Sequence, residues 1–185
     1  MIAFYILMGL LVITVLWVIK SYNKLVKLKT FMEESWSIVD VFLNKRYDLI
    51  PNLVEAVKGF AAHESETLEN VILARNQSRG ARNVTEKVES ESMLTNALSR
   101  LMIVSEKYPQ LLANENFMHL QNELSSLEVE IERARRYYNG SVRENNIGVR
   151  TFPMNIIANM FNFDEGKFFE ITAIKREAPK VSFAK

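Results

Sequence analysis

The side chains best suited to metal or acid–base chemistry lie on one short stretch. Glu115, His119 and Glu123 are spaced four residues apart, so in a helix they would share one face, as metal ligands do. The neighbouring apolar residues Phe117 and Leu120 set a core register that directs this face toward solvent. A di-iron helical bundle also needs Glu-x-x-His on two helices, and the sequence contains no such motif. We interpret the three residues as a solvated helix face and expect no metal and no cofactor.

Other catalytic signatures are missing from the sequence. The chain has no cysteine, which excludes disulfides, thiolate metal sites and cysteine catalysis. It contains no Gly-rich phosphate loop, no G-x-S-x-G and no H-E-x-x-H motif. The formal net charge of +1 provides no field that would attract nucleic acid. The residues therefore predict a protein that is not an enzyme and does not bind nucleic acid.

The N-terminal segment has the composition of a membrane anchor. Residues Ile2 to Ile19 are uncharged and largely apolar, and in a helix they span about 27 Å, enough to cross a hydrocarbon core. Four lysines follow, and no basic residue precedes the apolar run, so the positive-inside rule places the N-terminus outside and the bulk of the chain in the cytoplasm. We expect a bacterial plasma or inner membrane. The residues predicted to hold the anchor against membrane lipid are Trp17, Lys20, Tyr22, Lys24, Lys27 and Lys29.

The rest of the chain has helical periodicity. The first cytoplasmic helix should continue from the anchor and end or kink at Pro51, with a second helix over about 51–78 and a third over about 84–108. Asn114 should cap a fourth helix, whose apolar stripe alternates spacings of three and four. That stripe comprises Phe117, Leu120, Leu124, Leu127, Ile131, Ala134 and Tyr138. The predicted fold class is all-α: a transmembrane helix continuing into an antiparallel up-and-down four-helix bundle.

Four segments follow from this pattern. They are an anchor over 1–21, a cytoplasmic bundle over 22–150, an apolar segment over 151–170 and a charged tail over 171–185. The third segment is uncharged until Asp164, and two interpretations stay open: a strap packed on the bundle, or an amphipathic helix at the lipid interface.

Two charged residues interrupt apolar stripes. Arg46 follows Val39 and Phe42 at core spacing, and Glu64 falls between two apolar positions. A charge on a buried face needs a partner. The two residues could pair with each other or with other groups, and we interpret them as architectural.

Short motifs along the chain occur in a characteristic order. They are Lys45-Arg46 before Asp48-Leu-Ile-Pro-Asn-Leu-Val54, Val57-Lys-Gly-Phe-Ala61 with His63-Glu64, Ala74-Arg75-Asn76, Val104-Ser-Glu with Tyr108-Pro109, Ala113-Asn-Glu-Asn-Phe117, Leu120-Gln121 with Glu123-Leu124, Ala134-Arg135 with Tyr138-Asn139, Phe152-Pro153 and Phe168-Phe169-Glu170. From about Tyr22 to Glu170 this series resembles the LemA family. The resemblance implies an N-terminal membrane anchor, a cytoplasmic antiparallel four-helix bundle and no established enzymatic activity. Phe42, Leu127 and Asn145 depart from the residues usual in that family.

The function that these patterns favour is a noncatalytic single-pass membrane scaffold or interaction protein, which could form homo-oligomers. An accessory or regulatory subunit of a membrane enzyme or protease, with a membrane-protein partner, is the alternative, and a metal-dependent helical-bundle enzyme is a third class. The residues expected to matter shape helix corners or form a partner surface. They are Arg46, Asp48, Pro51, Asn52, Glu64, Asn114, Glu115, Asn116, Phe117 and Tyr138.

Overall fold

A computed structural model describes residues 1–170, so the predicted tail over 171–185 lies outside the described residues. Within residues 1–170 the secondary structure is helical, with no strand, which confirms the all-α prediction. The helices are α1 (Ile2–Lys58), α2 (Ser65–Gly80), α3 (Val84–Ser105), α4 (Pro109–Leu112), α5 (Glu115–Arg150) and α6 (Met154–Met160).

The chain forms two compact units. The first comprises Met1–Leu49 and His119–Phe168. The second comprises Ile50–Met118 and, among the described residues, Phe169 and Glu170.

In the first unit, α1 and α5 pack antiparallel. Arg46 of α1 meets Glu128 of α5, with 2.5 Å between Nη1 and Oε1. Eleven residues earlier in α1, the Ser35 hydroxyl is hydrogen-bonded to that of Ser141, with 2.5 Å between the oxygens. Residue numbers on α5 rise as those on α1 fall, so the two helices run in opposite directions. Both serines are buried, and their small side chains allow the helices to approach closely.

The N-terminal part of α1 is apolar and uncovered. Among residues 1–170, α1 is the helix long and apolar enough to cross a membrane, and none of its apolar 18-residue window is buried. The core helix of a soluble protein would bury such a segment. The exposure therefore agrees with a lipid-facing anchor.

In the second unit, α2 and α3 pack against each other. Asn83 caps α3, because its Oδ1 accepts a hydrogen bond from the Glu86 backbone N–H at 3.0 Å. The Glu86 carboxylate accepts from the Arg82 backbone N–H, and this bond lowers the pKa of Glu86. Lys87 is buried and donates from Nζ to the Ser78 carbonyl at 3.0 Å, which satisfies a carbonyl in the last turn of α2.

The prediction that a second helix begins at Pro51 is wrong. Pro51 lies inside α1, which continues to Lys58, and α2 begins only at Ser65. The apolar stripe explains the continuation, since Ile50, Leu53 and Val57 are fully buried. Burying three such side chains contributes roughly 1.5–3 kcal/mol each. That gain outweighs the cost of about 3 kcal/mol for one proline in a helix interior.

We expect Pro51→Ala to raise the melting temperature and to leave the far-ultraviolet circular dichroism spectrum unchanged. Alanine restores the backbone N–H that proline lacks and removes the clash of the ring with the preceding turn. Asn52→Ala, at the exposed neighbouring position, is the matched control for the higher helix propensity of alanine. A lower melting temperature for Pro51→Ala than for Asn52→Ala would show that the proline shapes this helix in a way that the fold needs.

Candidate functional site

The most elaborate contacts in the first unit hold residues 151–168, here called the strap, against α1 and α5. Ile157 and Ala158 of the strap are buried and form a core cluster with Leu25 of α1. Trp17 and Val18, from the last turn of the apolar anchor run, pack against the same cluster. The strap therefore lies beside the C-terminal end of the apolar run of α1.

Two neighbouring asparagines of α5 bind the strap backbone. Asn146 makes a reciprocal pair with Gly166: its Nδ2 donates to the Gly166 carbonyl at 3.0 Å, and its Oδ1 accepts from the Gly166 N–H at 2.7 Å. Asn145 Nδ2 donates to the Asp164 carbonyl at 3.2 Å. Both asparagines are buried, so these bonds satisfy groups that would otherwise be costly to bury.

Tyr138 adds a third point of attachment. Its hydroxyl donates to the Lys167 carbonyl at 2.9 Å, and its ring lies 5.1 Å from that of Trp36 on α1. Burial raises the pKa of Tyr138, which keeps the hydroxyl protonated as a donor. We call these three side chains the polar clamp: Tyr138, Asn145 and Asn146.

Gly166 lies close to side chains of both helices. A Cβ at this position would overlap Met32 Sδ and would lie 3.3 Å from Val142 Cγ1. A larger residue at position 166 would therefore require the Met32 side chain to move.

At the edge of the strap, Arg150 and Glu165 form an exposed two-point ion pair. Arg150 Nε donates to Glu165 Oε1 at 2.8 Å, and Nη2 contacts the other carboxylate oxygen. The hydrogen bond from Arg150 lowers the pKa of Glu165 and raises that of Arg150.

Aromatic rings also join the strap to α1, shortly after its apolar run. The Tyr22 ring lies edge-on to the rings of Phe161 and Phe163, with centroid distances of 4.9 Å and 5.6 Å. Lys20, Lys24, Lys27 and Lys29, predicted to face lipid headgroups, are exposed, and Trp17 is partly buried.

Arg46 and Glu64 make separate polar contacts. Arg46 has no exposed surface, and its ion-pair partner Glu128 is partly exposed. In the second unit Glu64 Oε1 accepts from the Tyr108 hydroxyl at 3.4 Å. Partial burial and the neighbouring Glu64 raise the pKa of Tyr108.

The remaining predicted residues do not form a common site. Asn114 caps α5, with its Oδ1 accepting from the Phe117 N–H at 3.0 Å, and Phe117 is fully buried. Glu115 and Asn116 are exposed in the first turn of α5. Asp48 and Asn52 are exposed on α1, not at a corner between helices.

Glu115, His119 and Glu123 are exposed side chains on α5. His119 Nδ1 lies 4.0 Å from Glu123 Oε2, and both side chains are at least half exposed. Over residues 1–170 no group of three or more His, Asp or Glu side chains is arranged to hold a metal ion.

Sequence reasoning named Tyr138 but missed Asn146 and Gly166. It noted Asn145 only as a departure from the LemA pattern. A signal was present, because Asn145 and Asn146 continue the apolar stripe of Tyr138 and Val142 at core spacing. Two amides at buried positions need partners, and the strap backbone provides them.

Comparison with known proteins establishes the family. The LemA family model matches residues 35–183. The chain belongs to the LemA family. It is 24% identical over 155 residues to Protein LemA of Metamycoplasma hominis, which covers 83% of this chain and 71% of that protein.

Two further relatives match a shorter stretch of this LemA family chain. Magnetosome protein MamQ 2 of Paramagnetospirillum magneticum is 32% identical over 75 residues, covering 40% of this chain and 28% of that protein. Magnetosome protein MamQ of Magnetospirillum gryphiswaldense is 28% identical over 74 residues and is covered to 27% of its length. The family match and the exposed apolar span of α1 together describe a membrane-associated LemA family protein.

We expect Asn146→Ala to loosen the strap. The substitution removes both bonds to Gly166 and leaves its N–H and carbonyl unpaired, at a cost of about 2 kcal/mol. The chain has no cysteine, so Ala158→Cys introduces a single buried thiol as a probe. We expect maleimide to label this thiol faster in the Asn146→Ala variant than in the protein that keeps Asn146. Asn122→Ala, at an exposed position of the same helix, controls for helix propensity. Equal labelling rates for the two variants would contradict the role of the clamp.

The Arg150–Glu165 pair predicts an acid-sensitive strap. Because the pKa of Glu165 is lowered in the folded protein, its contribution is complete above the unfolded value of 4.5 and is lost as the pH falls through the folded value. Wild type should melt at a higher temperature than Glu165→Gln near neutral pH, and the two should converge well below pH 4.5. Glu89→Gln, at an exposed carboxylate of α3, is the control. A difference between wild type and Glu165→Gln that is independent of pH would refute this account.

Proposed function

We propose that this LemA family protein is a noncatalytic, single-pass membrane scaffold that associates with itself. The observation that carries the proposal is the unbroken course of α1, which joins an uncovered apolar span to the packed helices of the first unit. A continuous helix transmits the position of the anchor to the packed helices without a flexible linker. Such a coupling suits a protein that holds partners at a fixed place on a membrane.

The polar groups of the first unit support a scaffolding role. Several of its buried polar side chains bond to backbone or to each other across α1, α5 and the strap, as in the Ser35–Ser141 pair and the polar clamp. Groups used in this way fix the register of the packed elements. These polar groups stabilise the packing of the helices and the strap, whereas a catalytic site needs polar groups that converge on a substrate.

Exposed apolar side chains outside the anchor support self-association. Ile38 and Val41, one turn apart on α1, are each more than two-fifths exposed. Apolar surface of this kind gains free energy when a second molecule covers it. We assign self-contact to this face of α1.

The topology in this proposal places the N-terminus outside and the helical domain in the cytoplasm. Its support is the lysine series from Lys20 to Lys29, directly after the apolar run.

One observation favours the alternative, an accessory subunit of a membrane enzyme or protease. The second unit has an open groove of about 420 Å³ between the end of α1 and α2. Its lining is mostly apolar and comprises Val54, Lys58, Ala62, Ser65, Leu68, Glu69, Ile72 and Leu73. An apolar groove of this size fits the side chains of a partner segment.

The test is to purify the full-length protein in mild detergent from near-native expression, measure particle mass and identify co-eluting proteins by mass spectrometry. A homogeneous oligomer of this chain alone would support the scaffold. Val41→Glu should then reduce the particle mass, and Ser126→Glu, at an exposed polar position of α5, should not. A one-to-one complex with another membrane protein would favour the accessory subunit. A monomer without partners would contradict self-association.

A further inference from the structure

One edge of α6 is apolar and uncovered. Phe152, just before the helix, is 76% exposed, and Ile156 and Met160 are 49% and 64% exposed. On the other side of the helix, Ile157 and Ala158 are buried. The short helix is therefore apolar on both sides, and only one side is packed against protein.

The contacts of the packed side fix the level of α6 relative to the anchor. Ile157 and Ala158 pack around Leu25, with Trp17 and Val18 against the same cluster. Trp17 and Val18 belong to the apolar run that ends at Ile19. At 1.5 Å per residue Leu25 lies about 9 Å beyond that end, close to the 5–8 Å thickness of the headgroup layer on one side of a bilayer. The helix thus lies at the level of the headgroup layer, between Trp17 on its hydrocarbon side and Leu25 on its outer side.

The charge pattern suits the same location. No charged residue occurs from Thr151 to Phe163, although about a quarter of the chain is charged. The first acids, Asp164 and Glu165, lie past the helix, where the Asp164 carbonyl binds the clamp and Glu165 binds Arg150. An uncharged apolar edge at headgroup level can enter the lipid without desolvating a charge.

We propose that α6, with Phe152 and Phe161, is a second membrane contact that inserts its apolar edge into the leaflet from which the anchor emerges. The occupant of the exposed edge is lipid, because the opposite side of α6 packs beside Trp17 and Val18 at the end of the apolar run and the edge itself carries no charge. The polar clamp holds the strap to α5 and so sets the depth to which α6 enters the leaflet. Two contacts on one leaflet fix the tilt of the first unit against the membrane. The proposal depends on the anchor and not on the scaffold function.

The test uses site-directed spin labels, since the chain has no native cysteine to remove. Ile156→Cys, Met160→Cys and Val129→Cys are each labelled with a nitroxide in the full-length protein, in bilayers of phosphatidylcholine and phosphatidylglycerol. Val129 is a matched control, with 46% exposure against 49% for Ile156 and a position on α5 remote from the strap. We expect the ratio of collisions with lipid-soluble oxygen to collisions with a water-soluble nickel chelate to be several-fold higher at 156 and 160 than at 129.

Two results would overturn the proposal. Water-like collision ratios at 156 and 160, equal to that at 129, would show that the edge faces solvent. Shielding from both reagents, with dipolar broadening between labels, would show that a second copy of the chain covers the edge in place of lipid. Circular dichroism of each labelled variant, matching the unlabelled protein, confirms that the comparison is between folded molecules. Neither outcome depends on whether the protein forms a scaffold.

Discussion

The backbone hydrogen bonding of α1 is the constraint on which the rest of the first unit depends. In a hydrocarbon layer no water can satisfy a peptide group, so the apolar N-terminal run must close its hydrogen bonds internally as a helix. The helix then continues without a break to Lys58. Because α5 and the strap both pack on α1, the direction of its faces decides which of their side chains are buried.

Apolar packing brings these elements together, and buried polar groups specify their register. A stripe of leucines and valines tolerates sliding of one helix along another, whereas a guanidinium on a carboxylate or a pair of hydroxyls does not. The Arg46–Glu128 and Ser35–Ser141 contacts fix α1 against α5 in this way. The polar clamp does the same for the strap, because it binds the carbonyls of Asp164, Gly166 and Lys167 and the Gly166 N–H.

Membership of the LemA family and the geometry of the described residues lead to the same kind of function. In residues 1–170 the titratable groups with altered pKa values lie in caps, ion pairs and helix contacts, not in a cleft that converges on a substrate. The surfaces left uncovered are apolar: the anchor, the edge of α6 and part of the second unit. These features support the proposed scaffold function.

The sequence by itself determined the features that depend on near neighbours along the chain. These are the apolar anchor, the helical periodicity along α5, and Asn114 as the cap of α5. It misplaced the first helix end, because a proline is a local signal and the buried stripe of Ile50, Leu53 and Val57 outweighs it. Only the tertiary structure decided that Asn146 binds Gly166 and that Arg46 meets Glu128. Those pairs lie 20 and 82 residues apart, and periodicity cannot indicate which distant group a buried polar side chain will reach.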